Sequence, residues 1–248
     1  MTQSPPDVAA EALLLAGGAR AILLQLANPG VGHGVAEHSD FAERPLDRLH
    51  GTLTYLYVVA FGTPDEIARV ARHVGRAHAP VRGDGYDARD EALQLWVAAT
   101  LYEGGVRMHE LVYGELPAAQ AQDLLDRGAA IATTLGVPRA AWPATPVDFA
   151  AYWQRCEADL RVDEVARGVA GALLHPRRGP WWFRLVLPPV RVLTAGLLSP
   201  ELRAGYGLAL GQRKFDRLVG SLRAIYPRLP LSIRQAPKRH YLRRFRRA

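Results

Sequence analysis

The chain has 248 residues, 49% of them hydrophobic, a single cysteine and a formal net charge of +7. That length and apolar content suffice to bury a large core in one domain, or two at most. One thiol, Cys156, excludes an internal disulfide framework, a four-thiolate zinc site and an iron–sulfur cluster held by one chain, and favours a reducing cytoplasm.

A helical period runs through nearly every segment, and runs of alternating β-branched residues are absent. The pattern predicts an all-α fold, a single globular multi-helix domain over residues 1–233 followed by a basic tail at 234–248. The expected helices are 7–26, 29–37, 45–61, 63–79, 88–113, 117–135, 146–160, 163–174 and 212–225, separated by Gly and Pro breaks. In the first of these, MTQSPPDVAAEALLLAGGAR has no basic run before its apolar part. Glu11 and Arg20 bracket a stretch too short to span a bilayer, so neither an export signal nor a membrane span is expected.

The glycines of 30-GVGHGV-35 follow what reads as a helix end, not a strand, so a nucleotide cradle is excluded. They suit either a close helix–helix contact or the approach of a flat ligand to the backbone. His33, Glu37 and His38 do not match the inverted zinc-protease motif, which has two residues, not three, between His and Glu. A zinc or non-haem iron site drawing on His33, His38 and His50 is one alternative. In the next helix Arg48 and Thr52 share the face that carries Tyr55 and Val59. Arg48 near the helix start is placed to snorkel, and Thr52 to bond back to the Arg48 carbonyl.

The helix after the Gly62-Thr63-Pro64 break opens with a capping box, Thr63 with Glu66, and with a proline at its first position. Ile67, Val70, Ala71, Val74 and Val81 recur at buried-stripe spacing, and His78 falls within that stripe. His73 lies roughly 140° away on the arginine-rich face and is expected in solvent. Pro80 is expected to kink or end the helix just after His78. An inward histidine with Arg82 four positions on fits either a satisfied core histidine or a haem ligand with a cation for the propionates.

From His175 to Leu210 the prolines are expected to prevent a long helix. Trp181, Trp182 and Phe183 then form either a cap over the core or an apolar mouth that admits a greasy substrate or rests on a membrane. Arg234, Lys238, Arg239, Arg243, Arg244, Arg246 and Arg247 account for the whole excess charge. Such a tail can touch anionic lipid, and without a basic groove in the body nucleic acid is not expected as a partner. Cys156, with no local partner for catalysis, reads as a small core residue.

The series ARAILLQLANPGVGHGVAEHSDF, RPLDRLHGTLTYLYVVAFGTPDE, VGRAHAPVRGDGY and LQLWVAATL resembles the family of haem-dependent oxygenases that includes rubber oxygenase (latex-clearing protein) and the oxygenase MpaB. The likeness spans roughly 19–210. It implies an all-α fold enclosing a haem pocket with one haem b, and the histidine of 78-HAPVR-82 as proximal iron ligand. It further implies that Arg48 and Thr52 border that pocket, with Arg82 on the propionates. Gly51 precedes Thr52 where rubber oxygenases carry a lysine, which argues against polyisoprene. Many relatives have a histidine at Asn28, so His33 or Asn28 would take the distal polar role. The resemblance thus implies an oxidoreductase that activates dioxygen, or peroxide, against an apolar organic substrate. A non-catalytic carrier of haem or a lipid-like ligand, docking at membranes, is the alternative.

Overall fold

A computed structural model describes residues 5–38, 45–176 and 181–248. Its helices are α1 (Pro5–Ala10), α2 (Gly18–Leu26), α3 (Pro29–His38), α4 (Pro45–Phe61), α5 (Pro64–His78) and α6 (Glu91–Tyr113). They continue with α7 (Ala118–Gly128), α8 (Ala130–Thr133), α9 (Pro146–Ala158), α10 (Glu164–Leu174), α11 (Phe183–Leu197), α12 (Pro200–Gly205), α13 (Gln212–Ile225), α14 (Leu231–Arg234) and α15 (Ala236–Arg247). The single-domain all-α expectation stands, with one small addition. Strands β1 (Arg82–Gly83) and β2 (Tyr86–Asp87) form an antiparallel hairpin whose turn contains Gly85 at φ 78°, a conformation glycine adopts without cost.

Helix α6 is the axis. It buries Leu95, Trp96, Ala99, Met108 and Val112 on different sides and packs against α2, α7, α8 and α13. A helix that is apolar all round belongs inside. The expected helix over 7–26 is broken instead: Glu11 is extended (φ −71°, ψ 131°) and 12–17 form a 3-10 turn against α6. The reason is close packing. A Cβ on Gly17 would stand 3.1 Å from the Gly104 carbonyl oxygen of α6, so the chain runs backbone to backbone there. The start of α6 also moves, to Glu91, because the hairpin occupies the residues before it and Asp90 caps the helix by accepting from Leu93 N–H (3.0 Å).

Two expectations are corrected. Prolines 188 and 189 do not prevent a long helix, since α11 runs through both. Their ring φ is compatible with a helix, and both sit at exposed positions, where water can satisfy the carbonyls that lose N–H partners. The basic C-terminal segment is not a detached tail but a helix laid on α4. Tyr241 and Leu242 are buried in a cluster with Val58, Val59 and Val70. Lys238 lies over the Phe61 ring (3.9 Å), and Arg246 donates to Glu66 (2.8 Å).

Arg234 is deeper still. It donates to the fully buried Glu11 carboxylate (2.8 Å) and to the Tyr113 hydroxyl (2.6 Å), while Tyr226 donates to the same carboxylate (2.7 Å). A buried ion pair is stabilised by meeting its remaining hydrogen-bonding capacity; Tyr113 and Tyr226 meet part of it here, and the buried Arg234 Nε is left without a partner. Here the N-terminal segment, α6 and the C-terminal segment meet at one charged knot.

Candidate functional site

Helices α4 and α5 pack against each other and, with the hairpin, carry the residues singled out by pattern. Thr63 and Glu66 form the capping box expected of α5, with Glu66 N–H donating to the Thr63 hydroxyl (3.3 Å) and Thr63 N–H to the Glu66 carboxylate (2.9 Å). The phase of the helix is therefore as read: Val70 is buried, Ile67 and Val74 pack on the same cluster, and His73 is exposed. α5 ends at His78 with Ala79 as its αR cap, and Pro80, which has no N–H to give the Arg76 carbonyl, stops it there.

His78 is half-buried, and its Nδ1 is sealed from solvent without a hydrogen-bond partner. Burial lowers its pKa below the ordinary 6.5, and the positive charge of Arg48 lowers it further. The imidazole is thus held neutral at pH 7. Arg48 is an exposed residue of α4 whose charge bears on His78, and the protein around its guanidinium depresses its own pKa. Thr52 is half-buried one turn along α4. The back-bond expected from Thr52 is made by Thr54 instead, to the His50 carbonyl (2.7 Å).

The structure therefore places the Arg48 charge within electrostatic range of the His78 ring. The other candidates are engaged elsewhere. His33 is 42% exposed, with Nε2 3.2 Å from Asp163, the N-cap of α10. The Asn28 side chain accepts from Val31 N–H (3.3 Å) and caps α3. Arg82 is exposed on the hairpin, close enough to Asp87 to help lower the pKa of that carboxyl.

The three-histidine metal alternative is not assembled. His33 is spent on Asp163, His38 meets the Tyr86 hydroxyl (3.0 Å), and His50 lies beside the Tyr241 ring (centroids 5.9 Å). Among the described residues no three His, Cys, Asp or Glu side chains could jointly hold a metal ion.

The glycines of α3 serve close packing. A Cβ on Gly32 would stand 2.6 Å from the Leu26 carbonyl oxygen, and one on Gly34 3.3 Å from Tyr86, which follows the His78 segment. The hairpin is thus pinned onto α3. Tyr86 completes the joint by donating to Glu37 (2.6 Å), which raises its pKa to about 12.

A second buried histidine escaped sequence reading. His109 of α6 is 6% exposed, its Nδ1 lacks a partner, and its ring lies 4.9 Å from that of Tyr113 at the Glu11–Arg234 knot. In the sequence it stands in MHELVY with no polar pattern around it, so no local signal marks it.

A profile of the family described as "ER-bound oxygenase mpaB/B'/Rubber oxygenase, catalytic domain" matches residues 7–224. An uncharacterized protein of Mycobacterium tuberculosis is 38% identical over 219 residues, covering 82% of this chain and 84% of that protein. An uncharacterized protein of Mycobacterium bovis is similar to the same extent. No solved structure matches the chain.

Proposed function

The chain belongs to the ER-bound oxygenase mpaB/B'/rubber oxygenase family, and from that membership we propose a haem b-dependent oxygenase that uses dioxygen on an apolar organic substrate, with His78 as the iron ligand. The observation that carries the haem reading is the orphaned, buried Nδ1 on the His78 ring. Most core histidines place their buried nitrogens on protein or water, and the other exception, His109, lies outside the 78-HAPVR-82 segment. A neutral, desolvated imidazole with a nitrogen unmatched by protein is what an iron ligand offers.

Arg48 supports the same reading. A guanidinium within electrostatic range of that imidazole suits a propionate carboxylate, with which it can form charge-assisted hydrogen bonds. The residues present therefore fit the group. In this proposal His78 donates to iron, Arg48 holds a propionate, Thr52 borders the macrocycle, and exposed Arg82 stands at the rim for the second propionate. When bound, the haem supplies the dioxygen chemistry, and the protein supplies orientation and exclusion of water. Distal roles for His33 or Asn28 would cost the bonds to Asp163 and Val31. The proposal therefore rests on His78, Arg48 and Thr52.

Neutrality of His78 matters because a protonated imidazole has no lone pair to give, and burial together with Arg48 disfavours that form. The test is hemin titration of the purified protein, followed by absorption spectroscopy, for wild type and His78→Ala. Saturable one-to-one uptake with a Soret band that collapses or shifts in the variant is expected. Failure of the wild type to take up hemin, or identical spectra for both proteins, refutes the assignment.

A further inference from the structure

Helix α11 breaks the usual rule of burial at its N-terminal end. Trp181 is 75% exposed, Trp182 38%, Leu185 67% and Val186 46%, while farther along the helix Leu193, Thr194 and Ala195 are buried. The second half anchors in the core and the first half projects from it. Trp182, Leu185, Val186 and Pro189 recur at three-and-four spacing and so form one apolar stripe. Arg184 and Arg191 lie roughly 180–200° around the wheel from Trp182, on the opposite face. A projecting helix with an aromatic and aliphatic stripe on one side and arginines on the other is amphipathic in the manner of helices that lie in a membrane interface.

Charge selects the occupant. From Trp181 to Pro200 the sequence holds no Asp or Glu. Helix α13, packed against the C-terminal half of α11 where Phe215 meets Gly196, carries exposed Arg213, Lys214 and Arg217, and its one carboxylate, Asp216, accepts from Gln212 (2.7 Å). A second copy of the chain would set one α11 segment, with exposed Arg184 and no carboxylate, against another, which opposes self-association. An anionic lipid surface attracts the segment.

Depth follows from the prolines. Pro188 and Pro189 free the carbonyls of Arg184 and Leu185, which are costly in hydrocarbon and harmless among headgroups. No single described helix is long and apolar enough to cross a membrane. We propose that the N-terminal half of α11 docks this protein onto anionic lipid bilayers at interfacial depth, through Trp181, Trp182, Leu185 and Val186. The docking face is α11, not the C-terminal basic helix, whose apolar residues are already committed to α4. The inference does not depend on the haem reading.

The test mixes the full chain with vesicles of phosphatidylglycerol and phosphatidylcholine, and separately with phosphatidylcholine alone, at low ionic strength. Binding is read by sedimentation and by tryptophan emission. Of the five tryptophans, Trp96 and Trp142 are buried and Trp153 half-buried, so a blue shift on binding reports Trp181 and Trp182. Preferential binding to the anionic vesicles with a blue shift is expected. Trp181→Ala/Leu185→Ser should weaken that binding by about tenfold or more with an unchanged circular dichroism spectrum. The single variant Leu185→Gln, at an exposed site, should weaken it in the same direction and serves if the double variant folds poorly. Absence of binding to anionic vesicles overturns the proposal, as does equal binding by the folded variants. Concentration-dependent self-association that the variants abolish, without vesicle binding, would assign the face to a second copy instead.

Discussion

Removing the Arg234 guanidinium tests whether the C-terminal segment is structural. In Arg234→Met the fully buried Glu11 carboxylate loses a partner at 2.8 Å, and the Tyr113 hydroxyl loses one at 2.6 Å. Breaking one side of a buried pair costs about 3–5 kcal/mol, because the remaining charge stays buried. For a chain of this size each kcal/mol lowers Tm by about 2–4 °C. The expected fall is therefore about 6–20 °C, measured by circular dichroism or calorimetry at fixed pH and protein concentration. Arg127→Ala provides the control, since Arg127 and Asp123 pair at the surface with 58% and 45% of their side chains exposed. Exposed pairs contribute about 0–1 kcal/mol, so the control should melt within a few degrees of wild type. If Arg234→Met melts no lower than Arg127→Ala, the knot does not stabilise the fold and the C-terminal segment is an accessory after all.

Other outcomes follow from packing and titration. Gly32→Ala should destabilise the protein by about 1–3 kcal/mol in urea unfolding, because the new methyl would meet the Leu26 carbonyl oxygen at 2.6 Å, a backbone atom that cannot swing aside. Gly171→Ala, exposed within α10 with open space at the Cβ position, should stabilise it by about 0.5–1 kcal/mol. The buried His109 has a pKa below 6.5 through desolvation. The unfolded chain then binds more protons between the two pKa values, so this part of the stability is present above about pH 6.5 and is lost as pH falls through the folded value. His109→Gln should flatten that loss in melts recorded from pH 7.5 downward, and an unchanged pH profile would refute it.

How far the sequence disclosed the molecule depended on the range of the interaction concerned. The orientation of His78, the end of α5 before Pro80 and the cap at Thr63 are fixed by residues within one or two turns, and the structure reproduces them. The knot of Glu11 with Arg234 joins residues 223 apart; each looks unremarkable among its neighbours, which is why the basic segment reads as a tail. The broken first helix has the same origin, since the break is at Glu11, held by Arg234 from the far end of the chain, and the 3-10 turn after it packs at Gly17 on the backbone of α6. Helix α11 misleads differently. Proline inside a helix removes a hydrogen bond wherever it sits, and α11 carries two because its N-terminal half projects and water stands in for the missing donors.

The influence of the Arg48 charge on His78 is the step on which the proposed site depends, and it can be measured in the protein alone. His78 carries two depressing influences, burial first and the Arg48 charge second. Replacing Arg48 by methionine removes the second and leaves the first. A nearby cation disfavours the imidazolium, so its removal must raise the His78 pKa, while continued burial should keep it below the ordinary 6.5. Nuclear magnetic resonance titration of the His78 ring, assigned with His78→Gln, reads this directly, with exposed His73 as internal reference. A rise in His78 with no movement in His73 places the two side chains within electrostatic range of each other, as a shared site demands. An unmoved His78 would mean that the guanidinium does not bear on the ring, and the candidate site would lose its cation.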